Sequence, residues 1–331
     1  MLVNWSFQFP NFPVTNTPTM NCSIVIRAYN EEKYIGRLLE GIRQQTVKDV
    51  EIILVDSGST DSTVSIAESF GAKVAHIPSA EFTFGRSLNF GVREARGEFI
   101  VIASAHVYPV YPDWLETLLR PFQDGQVALT YGKQRGYEGS KYSEHQIFHQ
   151  WYPDVSNFDQ ATSFCNNANA AIRKSLWEQH PCDETLTGLE DIEWGKWAQG
   201  QGYKIAYIAE AEIAHIHNET PRGVYNRYRR EAMALRRIYP EAHFNFYDFL
   251  RLTFTNIVSD LWHAAREGVL LKSFASIFWF RFMQFHGTRI GHRETSLVTP
   301  QLRETFYYAR ERKRKDERKR DVEPIRYKDG K

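Results

Sequence analysis

Two short apolar runs, each broken by a polar turn, dominate the first third of the chain. Ser23, Ile24, Val25 and Ile26 lead into Tyr29-Asn30-Glu31, and Ile52, Ile53, Leu54 and Val55 lead into Asp56-Ser-Gly-Ser-Thr-Asp61. Runs of this length, rich in β-branched residues, read as buried strands. Between them Ile35, Leu38, Leu39 and Ile42 recur at helical spacing. Together these predict a strand–helix–strand unit with polar groups at both strand ends. In open α/β sheets ligands bind outside the carboxyl ends of the strands. Glu31 and Asp56 therefore mark an expected ligand site.

The alternation continues. Leu88, Val92 and Ala95 predict a helix, Gly97 a turn, and Phe99–Ala103 another buried strand. Val127–Tyr131 predicts a short strand. Residues 132–165 show little periodicity and many aromatics, and read as loop. Ala170–Trp177 and Asp191–Gly200 predict helices, and Tyr203–Ile208 a strand. Past about 221 the character changes: 222–238 are basic and helical, and 248–289 are helical and strongly aromatic. The expected organisation is an N-terminal arm (1–20, with Pro10, Pro13 and Pro18), an α/β domain (21–235), a helical region (236–309) and a basic tail (310–331).

Composition narrows this only a little. A chain of 331 residues with 42% hydrophobic residues can bury a sizeable core. Net charge near +1 gives no case for nucleic acid as a partner. Three widely spaced cysteines, Cys22, Cys165 and Cys182, form no zinc pattern or disulfide framework, which favours a reducing, cytoplasmic compartment. The first 20 residues do not read as a secretory signal, and no spanning helix is predicted. The aromatic run Val269–Phe285, interrupted by Lys272 and Arg281, suits a helix lying in a membrane interface, at the inner face of the cytoplasmic membrane; a core helix or a dimer contact would show the same pattern.

Several polar groups stand where chemistry is expected. Asp56 can accept an N–H edge of a nucleobase, or it can cap its own turn; Asp61 fits capping better, because a helix starts right after it. Arg86 follows Gly85, which would let a diphosphate approach a helix start. His106 ends the segment Ser104-Ala105-His106 after a strand. His215 and His217, two apart, share a face if extended. Glu190-Asp191 opens a helix beside Ile192, Trp194 and Trp197. A carboxylate among aromatic walls can have its pKa raised into the range of a general base, although acids at a helix start are also ordinary capping choices. Asn166, Asn167 and Asn169 offer amides to hydroxyl-rich ligands.

The Tyr29-Asn30-Glu31 and Asp56–Asp61 turns, in this order and spacing, resemble those of the family-2 glycosyltransferases, of the bacterial rhamnosyltransferase-like type. The resemblance extends over roughly residues 21–235. It implies a GT-A-like α/β domain with a mixed, mainly parallel sheet, followed by a helical C-terminal region. The implied reaction moves a sugar, with inversion, from a nucleoside-diphosphate sugar to a hydroxyl of a saccharide or lipid-linked acceptor. It implies Ala28, Tyr29, Glu31, Asp56, Arg86, Asn89, Ser104, Ala105 and Asn169 as donor-binding residues. Glu190 and Asp191 are the implied catalytic pair, with Asp191 the base, and residues 132–165 lie on the acceptor side. The family places a metal-binding aspartate where this chain has His106. Three readings of that departure stay open. His106, with His215 and His217, holds a divalent metal, Mn²⁺ in preference to Mg²⁺; or it touches the diphosphate directly; or the site is degenerate and the chain is a sugar-nucleotide-binding pseudoenzyme. Retention of Glu190-Asp191 speaks against the last.

Overall fold

The expected strand–helix–strand unit is formed by β1 (Cys22–Ala28), α1 (Ile35–Arg43) and β2 (Glu51–Asp56). The computed structural model describes residues 21–137, 139–294, 302, 306 and 307; the expected arm and basic tail lie outside the described residues. The chain continues through α2 (Thr63–Ser69), β3 (Lys73–His76), α3 (Phe84–Glu94), β4 (Phe99–Ser104), β5 (Val107–Pro109) and α4 (Trp114–Leu119). Then come β6 (Val127–Gly136), α5 (Tyr142–Trp151), β7 (Asn169–Arg173), α6 (Lys174–Gln179), α7 (Glu190–Gly200) and β8 (Lys204–His215). Three helices close the described chain: α8 (Pro221–Ile238), α9 (Phe246–Arg266) and α10 (Leu270–Gly291).

The strands form one sheet in the order β3-β2-β1-β4-β7-β6-β8-β5. The β3–β2, β2–β1, β1–β4 and β6–β8 pairings are parallel; β4–β7, β7–β6 and β8–β5 are antiparallel. The carboxyl ends of β1, β2, β4, β6 and β8 therefore open on one edge, and the antiparallel β7 brings its first residue, Asn169, beside Ala103 at that edge. Successive strand residues face opposite sides. Ile24, Ile26, Leu54 and Val101 pack under α1 and α4. Val25, Ile53, Val55, Ile100 and Ile102 pack under α3 and α7.

Three expectations need correction. Ala170–Trp177 is not one helix: residues 169–173 are strand, seated between β4 and β6, and only then does α6 begin. Pairing on both sides overrides the helix preference of Ala170 and Ala171. The aperiodic stretch 132–165 contains the end of β6 and the helix α5. The expected boundary at 235 cuts through α8, so the helical region starts at Pro221, where Thr220 caps the helix by accepting from Gly223 N.

Helix α10 crosses α8 at close range. A Cβ on Gly287 would lie 2.4 Å from Tyr225 O, and one on Gly291 would lie 2.2 Å from Arg229 O. Small residues one turn apart let the two backbones meet. Between α9 and α10, Arg281 is buried and forks onto both Asp260 oxygens at 2.7 and 2.9 Å. The outer sides of this pair expose Tyr247, Leu250, Phe254, Trp262, Phe274 and Phe278, among other large apolar residues. Among the described residues no helix is long and apolar enough to cross a membrane.

Candidate active site

The two polar turns at the sheet edge are laced together. Asn30, with a left-handed φ of 54°, accepts Thr60 N through its side chain at 2.8 Å. Ser59 Oγ accepts Asn30 N, Thr63 Oγ1 accepts Glu31 N, and Asp61 accepts Glu32 N. Asp61 also caps its own turn onto Thr63. Asp56 is buried at the end of β2, level with Ala28 in the neighbouring strand. Its oxygens accept Gly58 N at 3.0 Å and Ser59 N at 3.2 Å, and His76 Nδ1 stands 3.4 Å away. The turn thus occupies Asp56 in part; a carboxylate has further lone pairs to offer.

Beyond β4, His106 meets His215 and His217 from the end of β8. The His106 and His215 rings stack with centroids 5.2 Å apart, and those of His215 and His217 are 4.0 Å apart. One ring nitrogen of each lies within 4.8 Å of the others. Every Nδ1 has an outward partner: Glu31 for His106 at 2.9 Å, Gln134 for His215 at 2.7 Å and Glu144 for His217 at 2.7 Å. Among the described residues the buried Nε2 of His215 has no hydrogen-bond partner. Burial, helped by the two neighbouring rings, pushes the His215 pKa well below the usual imidazole value, so this ring is neutral. For His106 burial acts downward too, but the Glu31 carboxylate prevails and the net shift is upward. Glu144 is buried, yet the charges of His217 and Arg227 hold its pKa down at about 2.

Across the edge, Leu189 takes a left-handed φ of 58° and turns the chain into α7, which begins with Glu190 and Asp191. Both carboxylates are buried but have different partners. Glu190 Oε1 accepts Arg27 Nη1 at 2.9 Å and Asn167 Nδ2 at 3.3 Å. Among the described residues Asp191 accepts only backbone N–H groups, from Asn167 at 2.9 Å and Ile192 at 2.8 Å. Burial, then the charge of Glu190, raises the Asp191 pKa from 3.8 to about 7. Asp191 lines a cavity of about 860 Å³ walled by Trp151, Phe164, Tyr207 and Tyr228 and reaching Thr288 of α10. Glu231 of α8 lines the same cavity, and burial raises its pKa.

The structure brings together His106, His215, His217 and Glu31, and in a second group Glu190 and Asp191 around Asn167. Glu31 belongs with the imidazoles. Ser104 and the buried Ala105 lead from β4 into His106, and Tyr29 follows Ala28 in the first turn. Two residues expected at the donor site have their amides engaged within the protein. Asn89 is buried with its amide fully used: Nδ2 donates to Cys182 O and Glu184, and Oδ1 accepts Trp177 Nε1 and Cys182 N. Asn169 is likewise spent on Trp114 Nε1, Lys133 O and Ala211 O. Arg86 pairs with Glu81 at 2.7 Å on the surface. Gly85 serves close packing: a Cβ there would lie 2.6 Å from Asp183 O, so the approach it permits is that of the chain itself. Sequence reasoning missed Arg27, Gln134, Glu144 and Glu231. Arg27 sat inside an apolar strand run, and the other three carry no local motif.

Residues 23–180 match the family model for glycosyl transferase family 2. These residues belong to family 2 of the glycosyltransferases. The rest of the site, including Glu190, Asp191, His215 and His217, lies beyond the matched span. The chain is similar to the O-antigen chain rhamnosyltransferase RfbN of Salmonella typhimurium, 29% identical over 63% of this chain and 70% of that protein. It is also similar to the O-antigen chain rhamnosyltransferase WbaN of Salmonella anatum, 30% identical over 56% of this chain but only 62% of that protein's length. In structure it resembles the mannosyltransferase PcManGT from Pyrobaculum calidifontis, solved with GDP-Man and Mn²⁺, with a TM-score of 0.57 at 18% identity over 82% of this chain and 87% of that one. GalNAc-T7, solved with UDP, GalNAc and Mn²⁺, gives a TM-score of 0.52 at 15% identity, over 71% of this chain and 50% of that one. The fold is thus that of the GT-A glycosyltransferases.

Proposed function

We propose that this glycosyltransferase moves a hexosyl or deoxyhexosyl group from a nucleoside-diphosphate sugar to a hydroxyl of a saccharide or lipid-linked acceptor, with inversion. The observation that carries this reading is Asp191: a buried carboxylate with a pKa near 7, on the wall of an aromatic cavity. In a single displacement, Asp191 takes the acceptor hydroxyl proton as the oxygen bonds to the anomeric carbon. The bond to the nucleoside diphosphate breaks on the opposite face, which inverts the centre. A base with a pKa near working pH is well matched to that transfer. Arg27 holds Glu190, and Asn167 holds both carboxylates, so the pair keeps its geometry. The aromatic walls suit the apolar faces of an acceptor sugar.

His106, His215 and His217 would hold a divalent cation. Their fit rests on the partnerless Nε2 of His215 and on three outward-tied Nδ1 atoms. When bound, the ion would neutralise diphosphate charge, and nitrogen ligands favour Mn²⁺ over Mg²⁺. Asp56 and the Tyr29–Glu31 turn would receive the nucleoside side of the donor. Rings exposed on α9 and α10 suit peripheral contact with a cytoplasmic membrane, where cell-envelope polysaccharide precursors would be met.

A panel of UDP-, dTDP- and GDP-sugars with the purified protein tests the reading, following nucleoside diphosphate release and the anomeric configuration of the product. Release with every donor absent, or a retained configuration, would sink it. Co-sedimentation with anionic vesicles tests the membrane part separately; a Phe254→Ser, Trp262→Ser variant should stay in the supernatant.

A further inference from the structure

We infer that His106, His215 and His217 form a three-imidazole site selective for a borderline transition ion of the zinc or cobalt(II) class, above manganese and far above magnesium. This deepens the reading that the cluster takes a metal, but does not depend on sugar transfer.

The tautomers support it first. Gln134 Oε1 faces His215 Nδ1 at 2.7 Å, and in this amide orientation Nδ1 carries the proton and the ring's lone pair sits on Nε2. That atom is buried and, like Gln134 Nε2, has no hydrogen-bond partner among the described residues. A buried nitrogen acceptor without a donor is costly unless something electrophilic meets it. His106 and His217 repeat the arrangement with carboxylates, Glu31 and Glu144, behind Nδ1. Metal-ligating histidines are oriented in this way, with the second nitrogen tied to a carboxylate or an amide carbonyl.

The donor set then selects among ions. Mg²⁺ takes oxygen ligands and dehydrates reluctantly. Three imidazole nitrogens suit zinc and its neighbours, and Mn²⁺ stands lowest in the usual affinity order. Three protein ligands also leave a position free, as in open zinc sites. A neighbouring group, Glu144, His217 and Glu219, also lies within 4.8 Å. It is no rival, because Arg227 occupies Glu144 at 2.9 Å and Glu219 at 2.6 Å. That network braces the outer partner of His217 from α8.

The test uses the full chain, stripped with chelator and titrated by calorimetry with ZnCl₂, CoCl₂, MnCl₂ and MgCl₂. We expect one Zn²⁺ per chain, bound at least about 100-fold more tightly than Mn²⁺, and Mg²⁺ weakest. Co²⁺ should show the intense visible bands of a low-coordinate nitrogen site. His215→Ala should abolish Zn²⁺ and Co²⁺ binding, with His217→Ala as a second variant should the first misfold by circular dichroism. Gln134→Leu should weaken Zn²⁺ by about 10–100-fold. Zn²⁺ no tighter than Mn²⁺, no ion bound, or Zn²⁺ retained in both folded histidine variants would each overturn the inference. Zn²⁺ binding without transfer from any donor would leave the metal site standing and remove the transferase reading. Transfer without Zn²⁺ binding would do the reverse.

Discussion

Around His106 the protein supplies a partner for the Nδ1 of every ring, Glu31, Gln134 and Glu144, and leaves the buried Nε2 of His215 without one among the described residues. Around Asp191 it does something different. The carboxylate receives two backbone N–H groups, yet burial and Glu190 still raise its pKa to about 7. One region fixes orientation through side chains that can be changed singly. The other tunes a proton affinity through loss of water, which no single hydrogen bond sets. The two should therefore fail differently when altered.

The largest failure is expected at Asp191. Asp191→Asn keeps the shape and removes the base, so turnover should fall by about 10²–10⁴-fold. Binding of the free nucleoside diphosphate, read by calorimetry, should stay unchanged. Stability should move the other way. The fold holds the Asp191 proton more tightly than the unfolded chain does, so its contribution to stability falls as pH rises from about 4 to about 7. At pH 8 the asparagine variant should melt higher than the parent. Near-normal turnover would reassign the base, with Glu231 the next carboxylate on the cavity wall.

Next comes Asn89, which separates structure from site. Asn89→Ala removes four hydrogen bonds from a buried amide and should cost about 2–4 kcal/mol of stability by urea denaturation. Donor affinity of the folded variant should match the parent. A selective loss of nucleotide binding with stability intact would restore Asn89 to the donor site. Gly287→Ala should cost about 1–3 kcal/mol, because the new methyl meets Tyr225 O and forces α10 off α8. Thr288 lines the cavity from the next position, so the acceptor side should loosen while metal binding at the imidazoles persists.

These contrasts follow what the sequence could and could not show. The turns after β1 and β2 were legible because their partners lie in one strand–helix–strand unit. His106 stood out because it follows a strand where the resembled family places a metal-binding aspartate, and Glu190-Asp191 because it opens a helix among aromatics. The tryptophan partners of Asn89 and Asn169 were not legible, because an amide looks the same in a sequence whether it faces a ligand or a tryptophan N–H. Gln134 and Glu144 were invisible for a related reason. Their role depends on β6 and α5 arriving beside β8, a contact set by tertiary pairing. Arg281 was read only as a charge that interrupts an apolar run, and Asp260 of α9 makes it an interior fork.

The smallest expected effect sharpens the comparison most, because it asks whether Glu190 tunes Asp191 or merely stands beside it. Asp191 acts as the carboxylate, so kcat/KM should rise as pH passes through about 7 and level off above it. The charge of Glu190 raises that pKa and the charge of Arg27 lowers it. Glu190→Gln removes the first influence, and the acid limb should move to lower pH. Arg27→Ala removes the second and releases Glu190 from its 2.9 Å partner, so the limb should move to higher pH. Plateau turnover should change less than the limb if Asn167 still holds the pair. Zn²⁺ affinity measured across the same pH range separates this limb from any loss of metal at the imidazoles. Opposite displacements in the two variants identify Glu190 as a positioning and tuning residue. A collapse of the plateau in Glu190→Gln with no displacement of the limb would instead make Glu190 the proton acceptor.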